Sequence, residues 1–232
     1  MDHHLGVGAS AGSDDFKDKY YTGRRNNGIY IPRFRNIGGE TNQKNFTRGY
    51  GYQGGGGRTD WTKQIAEMAY GAAFKEASLK PGDWQIGLSG FGEILPYQDN
   101  KMTLDYNKLD KWGLPTVTFD ATLKENELNM RKDMQQQAVE MLESAGFRDV
   151  KGHDRDYSIG LGIHEMGTAR MGHDRKTSVL NENNQLHDVH NVYVTDGSAM
   201  TSAGNVNPSL TYMALTARAA NHAVKELKKM NI

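Results

Sequence analysis

The C-terminal helix is the feature of this sequence that constrains the fold most. Asn207 is of a type favoured immediately before a helix, and Pro208 suits the first helical position, where a missing N–H costs nothing. From Leu210 to Leu227 apolar residues recur with the 3.6-residue period of an amphipathic helix. We therefore predict a helix that begins at Pro208 and directs unpaired N–H groups toward any anion or electron-rich ring before it.

Small and polar residues lead into this helix. A β-rich run, Asn191 to Thr195, ends in the acidic turn Asp196-Gly197, and small residues at 201–204 follow. A strand, a glycine turn and a helix N-terminus in this order let a ligand approach the backbone closely. The helix alone would be explained as an ordinary capped terminal helix, and this context favours a binding site.

The first two thirds of the chain alternate between strand-like and helix-like segments. Short runs of alternating polar and large apolar residues predict strands, and two longer runs with helical spacing predict helices that stop at Pro or Gly. The glycines 54–57 predict a flexible turn. Together these segments favour an α+β fold, a mostly antiparallel sheet covered by helices that forms one wall of a pocket. The predicted strands are 6–11, 28–34, 48–54, 84–95, 102–106 and 115–119, and the predicted helices are 60–77 and 126–145.

Composition excludes several classes of function. The 232 residues suffice for one globular domain or a large piece of a bigger one. With 28 basic and 28 acidic residues the net charge is zero, which argues against nucleic acid or an anionic membrane surface as partner. The absence of cysteine excludes disulfides, thiolate metal sites and cysteinyl flavin attachment. No apolar run predicts a membrane span, and the compartment stays open between cytoplasm and periplasm.

Two short motifs resemble known binding or catalytic signatures, but the residues around each of them do not fit. Gly6, Gly8 and Ala11 fit a loose dinucleotide fingerprint, but no strand precedes them and no acidic residue follows at the required distance, so we predict an extended segment. His164-Glu165 suggests a zinc protease, yet Thr168 stands where the second histidine is needed. No metal is expected.

Four linked segments over about fifty residues carry a family resemblance. They resemble, in order and in spacing, the C-terminal signature of the glucose-methanol-choline (GMC) family of FAD-dependent oxidoreductases, and Met1-Asp2-His3 resembles the Asp-His element that opens its substrate half. The resemblance implies that residues 1–155 form a substrate-binding domain. It further implies that 156–232 carry the catalytic motifs with a strand and a long helix of the FAD-binding domain, and that the N-terminal Rossmann half is absent. The segments are 167–172, 178–180, 191–198 and 207–211.

The same resemblance assigns a site. His164 and Asn207 are the implied catalytic pair, since histidine titrates near neutrality and can accept a hydroxyl proton while the amide orients the substrate. Without that context, a lone histidine at the end of an apolar strand would be taken as structural. The implied cofactor is FAD, with hydride transfer to flavin N5. Its implied contacts are Asp196, Gly197, Asn207, Pro208 and Ser209.

The expected substrate is a sugar or another polyol. Aromatic residues with many Asn and Gln suit stacking combined with hydrogen bonding, although sheet cores would explain the aromatics equally. The alternative function is a non-catalytic carbohydrate-binding or assembly module that has kept the fold. The expected protein partner is the missing FAD-binding half or a chain that supplies it, and the chain alone is expected to be inactive. The aromatic residues are Tyr20, Tyr21, Tyr30, Tyr50, Tyr52, Trp61 and Trp84.

Overall fold

An antiparallel sheet forms the centre of the protein. A computed structural model describes residues 2–3, 6–13, 28–58, 71–78, 83–155 and 157–232. In the main sheet the strand order is β3-β4-β5-β2-β8, with β1 paired to the far end of β5. All named strand pairs are antiparallel, so the predicted α+β class is confirmed. The strands are β1 (Asp2–His3), β2 (Val7–Ser13), β3 (Ile29–Ile31), β4 (Tyr50–Arg58), β5 (Trp84–Ile94), β6 (Lys101–Leu109), β7 (Pro115–Asp120) and β8 (Arg148–Asp154).

One helix covers one face of this sheet. The described helices are α1 (Ala72–Ser78), α2 (Glu125–Ser144) and α3 (Ser209–Lys228). Met130 and Met134 of α2 are fully buried together with Tyr50 and Tyr52 of β4. The Tyr52 hydroxyl donates to the Met134 carbonyl at 2.5 Å, which satisfies a buried polar group at this contact. The α2 side of the sheet is therefore the hydrophobic core.

The opposite face of the sheet carries glycine, polar and aromatic residues. Gly51 pairs with Phe91, and Gln53 pairs with both Ser89 and Tyr30. Directly paired residues point to the same face, and that face is opposite the one that holds Tyr50 and Tyr52. Ser89 is exposed, and Tyr30 is 53% exposed. A ligand could lie against this second face without displacing the core.

The strands β6 and β7 form a separate two-stranded hairpin. Both were predicted, and the structure confirms them outside the main sheet. Register pairs Met102 with Phe119 and Leu104 with Val117, so these apolar side chains share one face. Phe119 is 75% exposed.

Other predictions have mixed outcomes. The strands at 6–11, 28–34, 48–54 and 84–95 are confirmed as β2 to β5, and the helix at 126–145 is confirmed as α2. The prediction of a helix from Asp60 falls partly outside the described residues, since the structure describes only its end as α1. No described helix has the length and apolar character needed to cross a membrane.

Three local predictions are wrong. Gly54 to Gly57 continue β4 instead of forming a turn, and a side chain at Gly54 would collide with the Gly87 carbonyl of β5. Glycine is therefore required at Gly54 by the close approach of the neighbouring strand. The predicted strand at 191–195 makes only a single bridge, from Tyr193 to Gln185. The segment before His164 is not a strand, but a loop of turns and bends.

Candidate active site

His164 lies half-buried on this loop and contacts a second histidine. Its Nδ1 is 2.7 Å from Nδ1 of His3, and the two rings meet edge to face with centroids 4.8 Å apart. His3 is only 2% exposed, and its Nε2 lies 3.1 Å from the Ala203 carbonyl oxygen. His3 therefore links the loop of His164 to the segment that leads into α3.

Asp2 holds the same loop from the neighbouring position. One carboxylate oxygen accepts from the His3 N–H at 2.7 Å, and the other accepts from the Gly160 N–H at 3.2 Å. Gly162 packs so closely on this carboxylate that an added Cβ would overlap it. The short strand β1 thus positions the backbone before His164 as well as its ring.

Glu93 anchors the segment that precedes α3. This carboxylate is 2% exposed and accepts from the Ala203 N–H at 3.0 Å and from the Ser202 hydroxyl at 3.0 Å. Arg48 lies 3.3 Å from its second oxygen. Since Glu93 pairs with His3 across the β1 and β5 strands, both anchors sit at one corner of the sheet.

Asn207 does not cap the helix, contrary to the prediction. The helix begins at Ser209, and Pro208 occupies the cap position with no side-chain hydrogen bond. The first turn closes when the Pro208 carbonyl accepts from the Tyr212 N–H at 3.0 Å, and among the described contacts no N–H of this turn donates to the Asn207 side chain. Its exposed amide instead lies 3.5 Å from the Gln53 side-chain oxygen, at the long end of hydrogen-bonding range. Asn207 therefore lies at the second face of the sheet.

The two predicted catalytic residues are thus held by different strands of the sheet. His164 is attached to β1, and Asn207 approaches β4. Among the contacts of the described residues, they do not hydrogen-bond to each other. Asn205 packs between these attachments, against Gly51, which has no room for a side chain.

Asp196 and Gly197 build a tight turn beside the His164 loop. Asp196 accepts from the Ser198 N–H at 2.8 Å and caps the short helical turn Gly197–Ala199. This cap orders the N–H groups of the turn and gives the acid a structural role. Gly197 is buried, with the Tyr212 hydroxyl 2.6 Å and the Glu165 carbonyl 2.8 Å from an ideal Cβ position. A side chain at this position would separate the turn from the loop.

The start of α3 suits the electron-rich edge of a ring. No side chain caps it, and Ser209 and Leu210 at its first turn are exposed. Uncapped first-turn N–H groups and the helix dipole stabilise negative charge placed before them. The donors present therefore fit one edge of a flavin, where the reduced ring gains negative charge.

His3 has an altered protonation equilibrium. Burial lowers its pKa below the ordinary value of 6.5, and the nearby His164 lowers it further. The Ala203 carbonyl and Asp2 act in the opposite direction without cancelling these effects. At neutral pH His3 is consequently uncharged.

The aromatic residues proposed to stack on substrate divide into two groups. Tyr50 and Tyr52 are fully buried under α2, so that assignment is wrong for both, and burial raises the pKa of each. Tyr30 is exposed on the second face, and Trp84 is half-buried beside Arg58. Tyr20, Tyr21 and Trp61 lie outside the described residues.

Two groups on this face of the sheet were missed from the sequence. Glu93 is the only acid in a strand that is otherwise apolar, polar-neutral or glycine, and such an acid signals a buried acceptor with a specific partner. Gln53 carries no comparable local signal. Within the described part of the chain, no cluster of three or more potential metal ligands is present.

Comparison with known proteins assigns the chain to a family. The chain is 36% identical over 133 residues to 2-methyl-1,2-propanediol dehydrogenase of Mycolicibacterium austroafricanum, covering 57% of the chain and 24% of that protein. It is 33% identical over 132 residues to 6'''-hydroxyparomomycin C oxidase of Streptomyces lividus, covering 57% of the chain and 24% of that protein. It is 28% identical over 139 residues to the fructose dehydrogenase large subunit of Gluconobacter japonicus, covering 59% of the chain and 25% of that protein. The chain thus spans about a quarter of the length of these relatives.

The crystal structure of a pyridoxine 4-oxidase from Mesorbium loti can be aligned over 96% of this chain and 43% of the oxidase chain, with 13% sequence identity. The TM-score of this alignment is 0.38, and it supports no conclusion. The family model described as GMC oxidoreductase matches residues 96–216, just over half of the chain, and takes in His164, Asp196 and Asn207. The chain therefore belongs to the GMC oxidoreductase family.

Proposed function

We propose that this chain is the substrate-side and catalytic part of an FAD-dependent enzyme that oxidises the CH–OH group of a sugar or polyol. The observation that carries the proposal is that His3 and Gln53, which contact His164 and the Asn207 amide, lie on the same face of the sheet. The relatives support the substrate class, since their names include a 2-methyl-1,2-propanediol dehydrogenase, a 6'''-hydroxyparomomycin C oxidase and a fructose dehydrogenase.

The second face of the sheet supports a hydroxylated substrate. Gln53 and Ser89 offer amide and hydroxyl groups, and the half-buried Phe91 and exposed Tyr30 offer ring faces beside them. The paired glycines Gly55 and Gly87 keep part of this face low enough for a flat ligand to lie against it. Polar groups next to aromatic rings are the usual means of binding sugars and polyols.

The residues divide the work of alcohol oxidation between them. His164 takes the hydroxyl proton, and the Asn207 amide hydrogen-bonds the substrate oxygen and orients its carbon. FAD, typical of this family, supplies the hydride acceptor when it is bound. Ser209 and the other first-turn residues of α3 would stabilise negative charge at the ring edge of bound FAD, and the turn at Asp196 and Gly197 would contact its phosphate and ribityl portion.

The proposed division of the chain follows from these roles. Residues 1–155 form the substrate-binding domain, and residues 156–232 supply the catalytic motifs with the C-terminal part of the FAD-binding domain. The relatives are about four times as long as the matched region, so an FAD-binding half is the expected partner.

A chimera tests the proposal. The FAD-binding half of one of the three relatives is placed before this chain, and flavin bleaching is followed with a panel of sugars, polyols, sterols and alkanols. We expect polyols or sugars to be oxidised, and His164→Ala to abolish bleaching while bound flavin is retained. Unchanged bleaching in His164→Ala would remove the catalytic assignment, and a preference for sterols or alkanols would remove the substrate class. Binding of sugars without any bleaching would favour the non-catalytic module.

A further inference from the structure

The contact between His3 and His164 joins the same atom, Nδ1, of each ring. Two neutral imidazoles can share such a contact only if one carries a proton on Nδ1 and the other does not. The direction of this hydrogen bond therefore decides which nitrogen of His164 is protonated.

The other nitrogen of His3 settles the direction. Its Nε2 lies 3.1 Å from the Ala203 carbonyl oxygen, which can only accept a hydrogen bond. His3 must therefore carry its proton on Nε2, because the reverse tautomer would place two lone pairs against each other in a buried site. Since burial lowers the pKa of His3, its Nδ1 is left as an acceptor at neutral pH.

We infer that His3 is a positioning residue that fixes the proton of His164 on Nδ1 and leaves its Nε2 as a bare acceptor. Among the contacts of the described residues, that Nε2 has no hydrogen-bond partner. The ordinary alternative for histidine, a mixture of both neutral tautomers, would leave part of the population with no acceptor at Nε2.

The consequence for chemistry rests on the proposed function. The alcohol O–H bond breaks, a new N–H bond forms at Nε2 of His164, and the resulting imidazolium still donates its Nδ1 proton to neutral His3. The positive charge thus gains a hydrogen bond directed along Nδ1, and the ring keeps its orientation. Asp2 supports the arrangement from the other side of His3, through the backbone at Gly160.

Nitrogen NMR of the histidine rings tests the inference without cofactor or turnover. The chain contains 8 histidines, so selective ¹⁵N labelling of the ring nitrogens and long-range proton correlation give few signals. We expect His164 to show a protonated Nδ1 and a bare Nε2, and His3 to show the opposite pattern. A wild-type His164 with its proton on Nε2, or with both tautomers equally populated, would overturn the inference.

Two substitutions separate positioning from simple packing. His3→Phe keeps the ring and its edge contact with Phe91 but removes the acceptor, so the Nδ1-protonated form of His164 should become the minority. His3→Gln supplies an amide oxygen to accept and an amide N–H to donate, and should restore the wild-type tautomer. The matched control is His187→Phe, which removes a half-buried histidine bonded to Ser178 elsewhere and should leave His164 unchanged.

The outcomes distinguish this inference from the proposed function. If His3→Phe leaves the tautomer of His164 as in wild type, His3 is not the determinant and the inference fails. Loss of that tautomer in both His3→Phe and His3→Gln would show a packing effect and would also overturn it. If the tautomers behave as expected while the His164→Ala chimera still bleaches its flavin, only the proposed function fails.

Discussion

Replacement of Glu93 by alanine should release the segment that leads into α3. The substitution leaves the Ala203 N–H buried without its acceptor, which costs about 2 kcal/mol. The Ser202 hydroxyl is half-buried and can turn to water, and Arg48 has a side chain that is 45% exposed, so these two contacts together add only about 1 kcal/mol. Relief of the carboxylate's own desolvation returns about 1 kcal/mol, and the net destabilisation is about 2 kcal/mol.

Urea unfolding measures this loss. With an m-value of about 3 kcal/mol/M for a chain of this size, the midpoint of Glu93→Ala should fall by about 0.7 M. Glu93→Gln keeps one oxygen for the Ala203 N–H and should lose less than about 1 kcal/mol. Glu140→Ala, on the exposed face of α2, is the control and should stay within about 0.5 kcal/mol of wild type.

Amide hydrogen exchange adds a local measurement. In Glu93→Ala the Ala203 amide should exchange faster than in wild type, while amides in the core of β4 change only with global stability. A Glu93→Ala protein as stable as wild type, or a Glu93→Gln protein as unstable as Glu93→Ala, would refute the idea that this acceptor anchors the segment.

Three further predictions concern protonation, packing and the cofactor. Because burial and His164 lower the pKa of His3 despite Asp2, the unfolded chain takes up a proton first as the pH falls, so the free energy of unfolding should decrease from about pH 6.5 downward. Urea unfolding at a series of pH values should show that the free energy of unfolding of His3→Phe depends less steeply on pH than that of wild type. Part of the dependence should remain because burial also lowers the pKa of His153. An unchanged pH dependence in His3→Phe would contradict the assignment. Gly162→Ala should destabilise the protein by about 1–3 kcal/mol because its Cβ overlaps the Asp2 carboxylate, and an unchanged melting temperature would refute this. The purified chain alone should carry no stoichiometric flavin, since the adenosine and pyrophosphate contacts of FAD need a glycine-rich strand-turn-helix; a yellow monomer bleached by alcohol would disprove it.

Much of the secondary structure could be predicted because it depends on local spacing. The 3.6-residue period predicted α2 and most of α3, and the alternation in β5 predicted a strand with one buried face. The linked motifs around His164 and Asn207 predicted the family. These signals lie within short windows of the chain, where neighbouring residues alone determine the pattern.

The failures of local reasoning have a common cause. Gly54 to Gly57 have the composition of a turn, yet their pairing with β5 makes them a strand. Tyr50 and Tyr52 have the chemistry of a sugar-binding wall, yet α2 covers the face to which they point. Asn207 is an ideal cap by type, but the sheet offers its amide Gln53 instead. In each case a neighbour distant in sequence overrides the local preference.

The sequence by itself determined the family, the helices, most strands and the identity of the candidate catalytic pair, because each of these depends on residue types and on spacings within short stretches of the chain. Only the tertiary structure decided which ring nitrogen of the candidate base, His164, carries the proton. His3 and His164 are 161 positions apart, and His3 meets the Ala203 carbonyl from a distance of 200 positions. A proton is assigned to one ring nitrogen by the acceptor that faces it, and that acceptor is known only once the chain has folded.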